Sequence, residues 1–206
     1  MLDKKTSKAL RARFEHCLGE WDWKFVADQL LDQYLARNCR DLQSDGPAML
    51  RQDIESFEML EVQLAGNFFG KKSADCLVIG DDLGIVRGTA SGAKSVLYEK
   101  ESIAFFNSQG MENAALLDDL DGWGKEKYRR ILFLYPMEAL MNVQNVQNLR
   151  TYLKTAYDAL GNRGRIMILD RIQYQDDFVC QYVDLGAEIE TVERYGKNSF
   201  ILVVAP

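Results

Sequence analysis

The chain has almost no histidine: among its 206 residues only His16 carries an imidazole. That lone ring, on a segment read as a surface helix, leaves nothing to build a Ser-His-Asp relay or a histidine-based metal site from. Cysteine is scarce and scattered. Cys17, Cys39, Cys76 and Cys180 form no close pair of the kind zinc or thiol redox chemistry uses, and Cys76 and Cys180 read as small buried hydrophobes. Positive charge is also short, 25 Lys+Arg against 31 Asp+Glu, and the net charge of −6 argues against a general nucleic-acid binder, though not against a local basic patch. No apolar run of membrane length, signal peptide, internal repeat or low-complexity tract is visible, so the expected setting is a reducing cytoplasm with no membrane. What remains is ordinary for a soluble protein, with 47% hydrophobic and 27% charged residues. That is enough chain for one large domain, with or without a helical extension.

The most informative stretch is residues 75–84, DCLVIGDDLG, followed by Ser95 to Glu99. The apolar run Leu77, Val78, Ile79 breaks at a glycine-containing turn, and a second run, Val96, Leu97, Tyr98, ends on the carboxylate of Glu99. Between them a small-residue segment, Ile85 to Gly92, has room for about two helical turns. Strand, tight loop, short helix, strand and acid form the first half of a nucleotide-binding α/β sheet. Glycine lets the backbone turn sharply and approach a ligand with no Cβ in the way. An acid closing the second strand can accept hydrogen bonds from both ribose hydroxyls.

Residues 1–73 read as a helical extension or cap. Thr6 or Ser7 caps a first helix bearing Leu10, Phe14 and Cys17, and a second carries the stripe Val26, Leu30, Tyr34. Pro47 starts a third, with Leu50, Ile54, Phe57, Leu60 and Leu64 on one face, ended by Gly66 to Ser73. Such stripes pack on the sheet domain or on a second copy of the chain, and Trp21, Trp23 and Phe25 read as packing rather than as a ligand platform. Residues 74–206 read as alternating strands and helices. Ser102 caps a helix with Ile103, Phe105 and Phe106. Ala114 to Leu117 is a brief strand ending in Asp118 and Asp119, Asp121 to Gly124 a loop, and Lys125 to Arg129 a basic lead-in. Ile131 to Tyr135 is a strand buried on both faces, broken by Pro136. One long helix then runs to Leu160, closed by the glycines of 161–164. Arg165 to Asp170 is the fifth strand, a helix spans about 176–185, and Ala187–Arg194 and Ser199–Ala205 form a closing antiparallel hairpin.

This pattern resembles the class I S-adenosylmethionine-dependent methyltransferases, across about residues 74 to 206. Their first motif is an apolar strand entering an acid/Gly-x-Gly-x-Gly loop; Gly80 and Gly84 match its first and third glycines, and Asp82 stands at the middle one. Glu99 matches the acid ending the family's second strand, 19 residues after Gly80, where roughly 20 are usual. The resemblance implies a doubly wound Rossmann-like sheet, mostly parallel with an antiparallel last hairpin, and the cofactor S-adenosylmethionine. It implies a transferase moving a methyl group to a small-molecule or protein acceptor.

Carried onto this chain, the resemblance gives Gly80, Asp82, Gly84 and Glu99 to the cofactor, with Asp118 or Asp119 meeting the adenine amino group. Asp82 would accept a hydrogen bond from the ammonium of the methionine end. Tyr135 and Asp170, with Arg171, lie at the strands' carboxyl ends, where ligands gather, and are the candidate catalytic residues. Tyr135-Pro136 lacks the Asn/Asp-Pro-Pro-aromatic signature of amino-methylating members. Two other functions fit the pattern. One is a non-catalytic methyltransferase-like binding module. The other is a nicotinamide-dependent oxidoreductase, which Asp81 and Asp82 disfavour because a pyrophosphate would be repelled by two carboxylates.

Overall fold

The computed structural model describes residues 64–70, 73–81, 86, 92–98, 100, 102, 103, 107, 114–142, 145–195 and 199–206. Most of the expected N-terminal extension, residues 1–63, therefore lies outside the described residues, with its stripes, His16 and the Trp21–Phe25 cluster. So do Asp82, Gly84, Gly88 and Glu99.

The strands are β1 (Cys76–Ile79), β2 (Lys94–Leu97), β3 (Ala115–Leu116), β4 (Tyr128–Leu134), β5 (Leu160–Arg171), β6 (Glu188–Tyr195) and β7 (Ser199–Ala205). They form one seven-stranded sheet in the order β3-β2-β1-β4-β5-β7-β6. β1 to β5 pair in parallel, while β7 lies between β5 and β6 and runs antiparallel to both. The closing hairpin is thus as expected, but only its second strand opposes the rest. The winding reverses between β1 and β4, because β2 and β3 lie to one side of β1 and the later strands to the other.

Alternation sorts the side chains to two faces. Leu77, Ile79, Val96, Ile131, Phe133, Ile166, Ile168, Phe200, Leu202 and Val204 belong to one core cluster with residues of four helices. These are α1 (Leu120–Trp123), α2 (Pro136–Asn142), α3 (Leu149–Asp158) and α4 (Gln175–Asp184). In α3 the buried residues are Leu149, Tyr152, Leu153 and Ala156, the spacing that points one helical stripe at a core. Intervening strand residues such as Cys76, Val78, Leu97, Leu132 and Leu169 are buried too, so the central strands are covered on both faces, as parallel sheets require. On the N-terminal side, residues 64–69 are helical and end at Gly70, whose φ of 68° and bond to the Gly66 carbonyl (3.1 Å) close the last turn. Arg129 donates to the Phe69 carbonyl at 2.5 Å, and the Arg130 guanidinium lies 5.6 Å from the Phe68 ring centre, tying this helix to the start of β4.

Several sequence-based expectations need correction. Residues 121–123 are not loop but part of α1, which Asp119 caps by accepting from the Gly122 amide at 3.0 Å. The strand expected from Ile131 begins at Tyr128, within the expected basic lead-in. The long helix is two helices with a 3-10 turn, Val146–Asn148, between them. After the break the Asn145 amide donates back to the Leu140 carbonyl at 2.8 Å, and its side chain bonds to Tyr152 and Asp118. Gly161 to Gly164 do not close a helix but bulge within β5, where pairing shifts between Tyr128↔Leu160 and Arg130↔Arg165 and Arg163 adopts φ 60°. Lys100 is already helical, so Ser102 sits inside its helix rather than capping it. Gly92 lies in a turn with φ 99°, outside the short helix assigned to it. Cys76 is buried as expected, but Cys180 is exposed, because the buried stripe of α4 runs through Phe178 and Tyr182.

Gly80, at the end of β1, is tightly enclosed. Its φ is 92°, and a Cβ there would overlap the Tyr98 ring and lie 2.6 Å from the Leu134 carbonyl oxygen. Gly80→Ala combines a left-handed backbone penalty with overpacking and is expected to destabilise the fold by about 3 kcal/mol, measured by urea unfolding. An unchanged midpoint would mean that the turn is loose.

Candidate functional site

In a doubly wound sheet the natural ligand crevice lies outside the carboxyl ends of the strands where the winding reverses. Here that point falls between the end of β1 at Gly80 and the end of β4 at Leu134.

At the end of β1, the Gly80 amide continues the ladder by donating to the Val96 carbonyl (2.9 Å). Asp81, expected to face the ligand loop, is 3% exposed and turned inward: its carboxylate accepts from the Val86 amide at 3.1 Å. Val86 is helical, so Asp81 acts as a local anchor for the segment after the turn. At the end of β2, Tyr98 reaches across β1 and donates its hydroxyl to the Leu134 carbonyl at 3.1 Å.

At the end of β3 the two adjacent acids take different roles. Asp119 caps α1 as described. Asp118 is exposed, and both of its hydrogen bonds land on Oδ1, one from Asn145 Nδ2 at 3.2 Å and one from the Tyr152 hydroxyl. Oδ2 accepts no hydrogen bond among the described residues. Asn145 also donates to the Tyr152 hydroxyl oxygen at 2.7 Å and accepts from Asn148 at 2.6 Å, so α3 and the turn before it fix the carboxylate. Burial, then the negative charge and hydrogen bond of Asp118, push the Tyr152 phenol up to about 12, which keeps it a neutral donor throughout the physiological range.

At the end of β4, Tyr135 is 3% exposed and has φ 51°, an uncommon conformation for a residue with a side chain. Two backbone bonds hold it there, its amide to the Leu169 carbonyl (2.7 Å) and its carbonyl from the Ala139 amide (3.0 Å). Pro136 then opens α2 at the position where a missing N–H costs nothing. At the end of β5, Asp170 is fully buried and accepts from the amides of Met137 and Arg171, each at 2.7 Å.

The sheet therefore brings Gly80 next to the Tyr135 turn, with Asp118 two strands to one side of Gly80 and Asp170 one strand beyond Tyr135. Sequence reasoning missed Tyr98, Tyr152 and Asn145. Tyr152 carried a signal, since it falls on the apolar stripe of α3 with a polar group that needs a partner. A separate cavity of about 500 Å³ opens toward the amino ends of β2 and β4, floored by Leu77, Val96 and Trp123 and bordered by the Lys94–Glu126 ion pair. Among the described residues no cluster of acids, cysteines and histidine is placed to hold a metal ion. No helix among them is long and apolar enough to cross a membrane.

No protein-family model matches the sequence, and no curated protein does. Solved structures match the fold. A SAM-dependent methyltransferase from Aquifex aeolicus is 12% identical, with 72% of this chain and 90% of that one covered at a TM-score of 0.54. A TehB-like SAM-dependent methyltransferase from Corynebacterium glutamicum is 15% identical, covering 78% of this chain and 99% of that one at 0.54. The glycopeptide N-methyltransferase MtfA, solved in complex with sinefungin, is 8% identical, covering 70% of this chain and 92% of that one at 0.56. The chain has the Rossmann-like α/β fold of the SAM-dependent methyltransferases.

Asp170 offers a test that separates support from chemistry. Asp170→Asn keeps the shape but replaces one acceptor oxygen by a donor facing backbone N–H groups. It should lower stability by about 2 kcal/mol in urea unfolding. A variant as stable as the native protein would show that the carboxylate does not hold α2 in place.

Proposed function

We propose that the protein transfers a methyl group from S-adenosylmethionine to a small-molecule or protein acceptor. The observation that carries this reading is the sheet order with its inserted antiparallel β7, together with an acid-bearing carboxyl edge at the reversal between β1 and β4. The residues present fit the nucleoside half of such a cofactor. Asp118 holds one carboxylate oxygen open for an exocyclic amino group, and its neighbour Asp119 is committed to capping α1. Glu99 would accept from the ribose hydroxyls, Gly80 and Gly84 would allow close backbone approach, and Asp82 would face the ammonium of the methionine end. When bound, the cofactor supplies an already activated sulfonium methyl donor.

Chemistry of that kind asks little of the protein's acid–base inventory. The chain's own residues need to align the acceptor and exclude water, which suits a sequence with one histidine. Tyr135 and Asp170, both buried, would shape the acceptor side by fixing the turn from β4 into α2. Residues 1–73, which the sequence leads us to expect as a helical extension, would add acceptor recognition, or a contact with a second copy, in a cytoplasmic enzyme. One observation favours the second reading, a non-catalytic binding module: the Tyr98 ring lies over Gly80.

Titration calorimetry with S-adenosylhomocysteine tests the first reading. The native protein should bind, and Glu99→Ala should weaken binding about tenfold, or about 1.4 kcal/mol, the size of a charge-assisted hydrogen bond. No heat from the native protein would leave the binding-module reading in its place.

A further inference from the structure

The two carboxylate oxygens of Asp118, just past the end of β3, have different surroundings. Oδ1 takes hydrogen bonds from Asn145 Nδ2 (3.2 Å) and from the Tyr152 hydroxyl, while Oδ2 accepts none among the described residues. The protons around Oδ1 run in one direction. Asn148 Nδ2 donates to Asn145 Oδ1 at 2.6 Å, and Gln147 Nε2 approaches the same oxygen at 3.4 Å. That turns the Asn145 amide nitrogen, with its two protons, the other way. It donates to the Tyr152 oxygen at 2.7 Å and to Asp118. A phenol has a single proton, so Tyr152, which accepts from Asn145, gives its own to Asp118.

Both donors are held from outside this contact. Tyr152 belongs to the buried stripe of α3, and the Asn145 amide is bonded to the Leu140 carbonyl at 2.8 Å. Burial, then the hydrogen bond and charge of Asp118, push the phenol up to about 12, so its proton stays in place at physiological pH. The place taken by Oδ1 therefore suits an acceptor and not a donor. Whatever side chain stands at 118 must turn its acceptor toward Asn145 and Tyr152. A carboxylate then presents a second acceptor at Oδ2, whereas an asparagine held by the same two donors would present a donor there.

We propose that Asn145 and Tyr152 are positioning residues that set the hydrogen-bond polarity of Asp118, and through it the choice of nucleobase, favouring an exocyclic amino group over a ring carbonyl at that place. This rests on the cofactor reading above and names what selects the base within it. Neither residue needs to touch the ligand, because each acts through Asp118.

The test compares two ligands that differ at one edge of the base. S-adenosylhomocysteine carries a 6-amino group and S-inosylhomocysteine a 6-carbonyl. By titration calorimetry, the native protein should bind the adenosyl ligand about tenfold more tightly, the effect of one hydrogen bond to a charged group. Asp118→Asn should invert the preference and favour the inosyl ligand about fivefold, because its amide nitrogen takes the place of Oδ2. Adding Tyr152→Phe to Asp118→Asn removes one orienting donor and should bring the two ligands to within about twofold. A role for Tyr152 in packing alone would shift both ligands together and leave their ratio unchanged. Asn145→Ala, outside α3, gives a second route to the same collapse should the Tyr152 variant not fold. A native protein that binds both ligands equally, or an Asp118→Asn protein that still prefers the adenosyl ligand, overturns the proposal and leaves the cofactor reading standing. So does a ratio that Tyr152→Phe and Asn145→Ala leave unchanged. A native protein that binds neither ligand removes the cofactor reading, and the proposal with it.

Discussion

Parallel pairs running from Cys76↔Arg130 to Ile79↔Phe133 join β1 to β4, the two strands between which the winding reverses. All four residues of β1 are buried, and the last four of β4 are buried on both faces. Fully burying each large apolar side chain of this kind contributes about 1.5–3 kcal/mol. Because side chains alternate across a sheet, a one-residue slip in this pairing would exchange the two faces of the core. It would also carry Gly80 away from Leu134, whose carbonyl accepts from the Tyr98 hydroxyl. The register of one strand pair thus sets both the core and the shape of the crevice.

At the carboxyl edge, much of the polar capacity is already committed within the chain. Asp81 holds Val86, Asp119 holds Gly122, Asp170 holds Met137 and Arg171, Tyr135 holds Leu169, and Tyr98 holds Leu134. Buried polar groups need partners of this kind, since leaving one unmade costs about 1–3 kcal/mol. Asp118 differs: one of its carboxylate oxygens is held by Tyr152 and Asn145, and the other accepts no hydrogen bond among the described residues.

The strands that read clearly from sequence were the ones made of unbroken apolar runs, Leu77 to Ile79, Ile131 to Leu134 and Ile166 to Leu169. Their burial on both faces leaves a local signal that no turn residue imitates. The pair Ala187–Arg194 and Ser199–Ala205 was legible for a related reason, as two strand-like runs around a turn. Glycine misled in both directions. In 161–164 it reads as a helix stop but makes a bulge, and in 121–124 it reads as a loop but sits at the end of a capped helical turn. Just past α2, Asn145 makes tertiary bonds to Tyr152 and Asp118, which no local pattern reveals. Tyr98 was illegible for the same reason. At the end of an apolar run it counts as one more hydrophobe, and only the sheet order places it over Gly80 and under the last carbonyl of β4. Asp118 and Asp119 were equivalent in register, and only the start of α1 separates them.

The most direct measurement is a crystal structure of the full chain grown with S-adenosylhomocysteine. The account predicts nucleoside density outside the carboxyl ends of β1 and β4, within reach of Asp118. Density instead in the cavity beside Lys94 and Glu126 would contradict it.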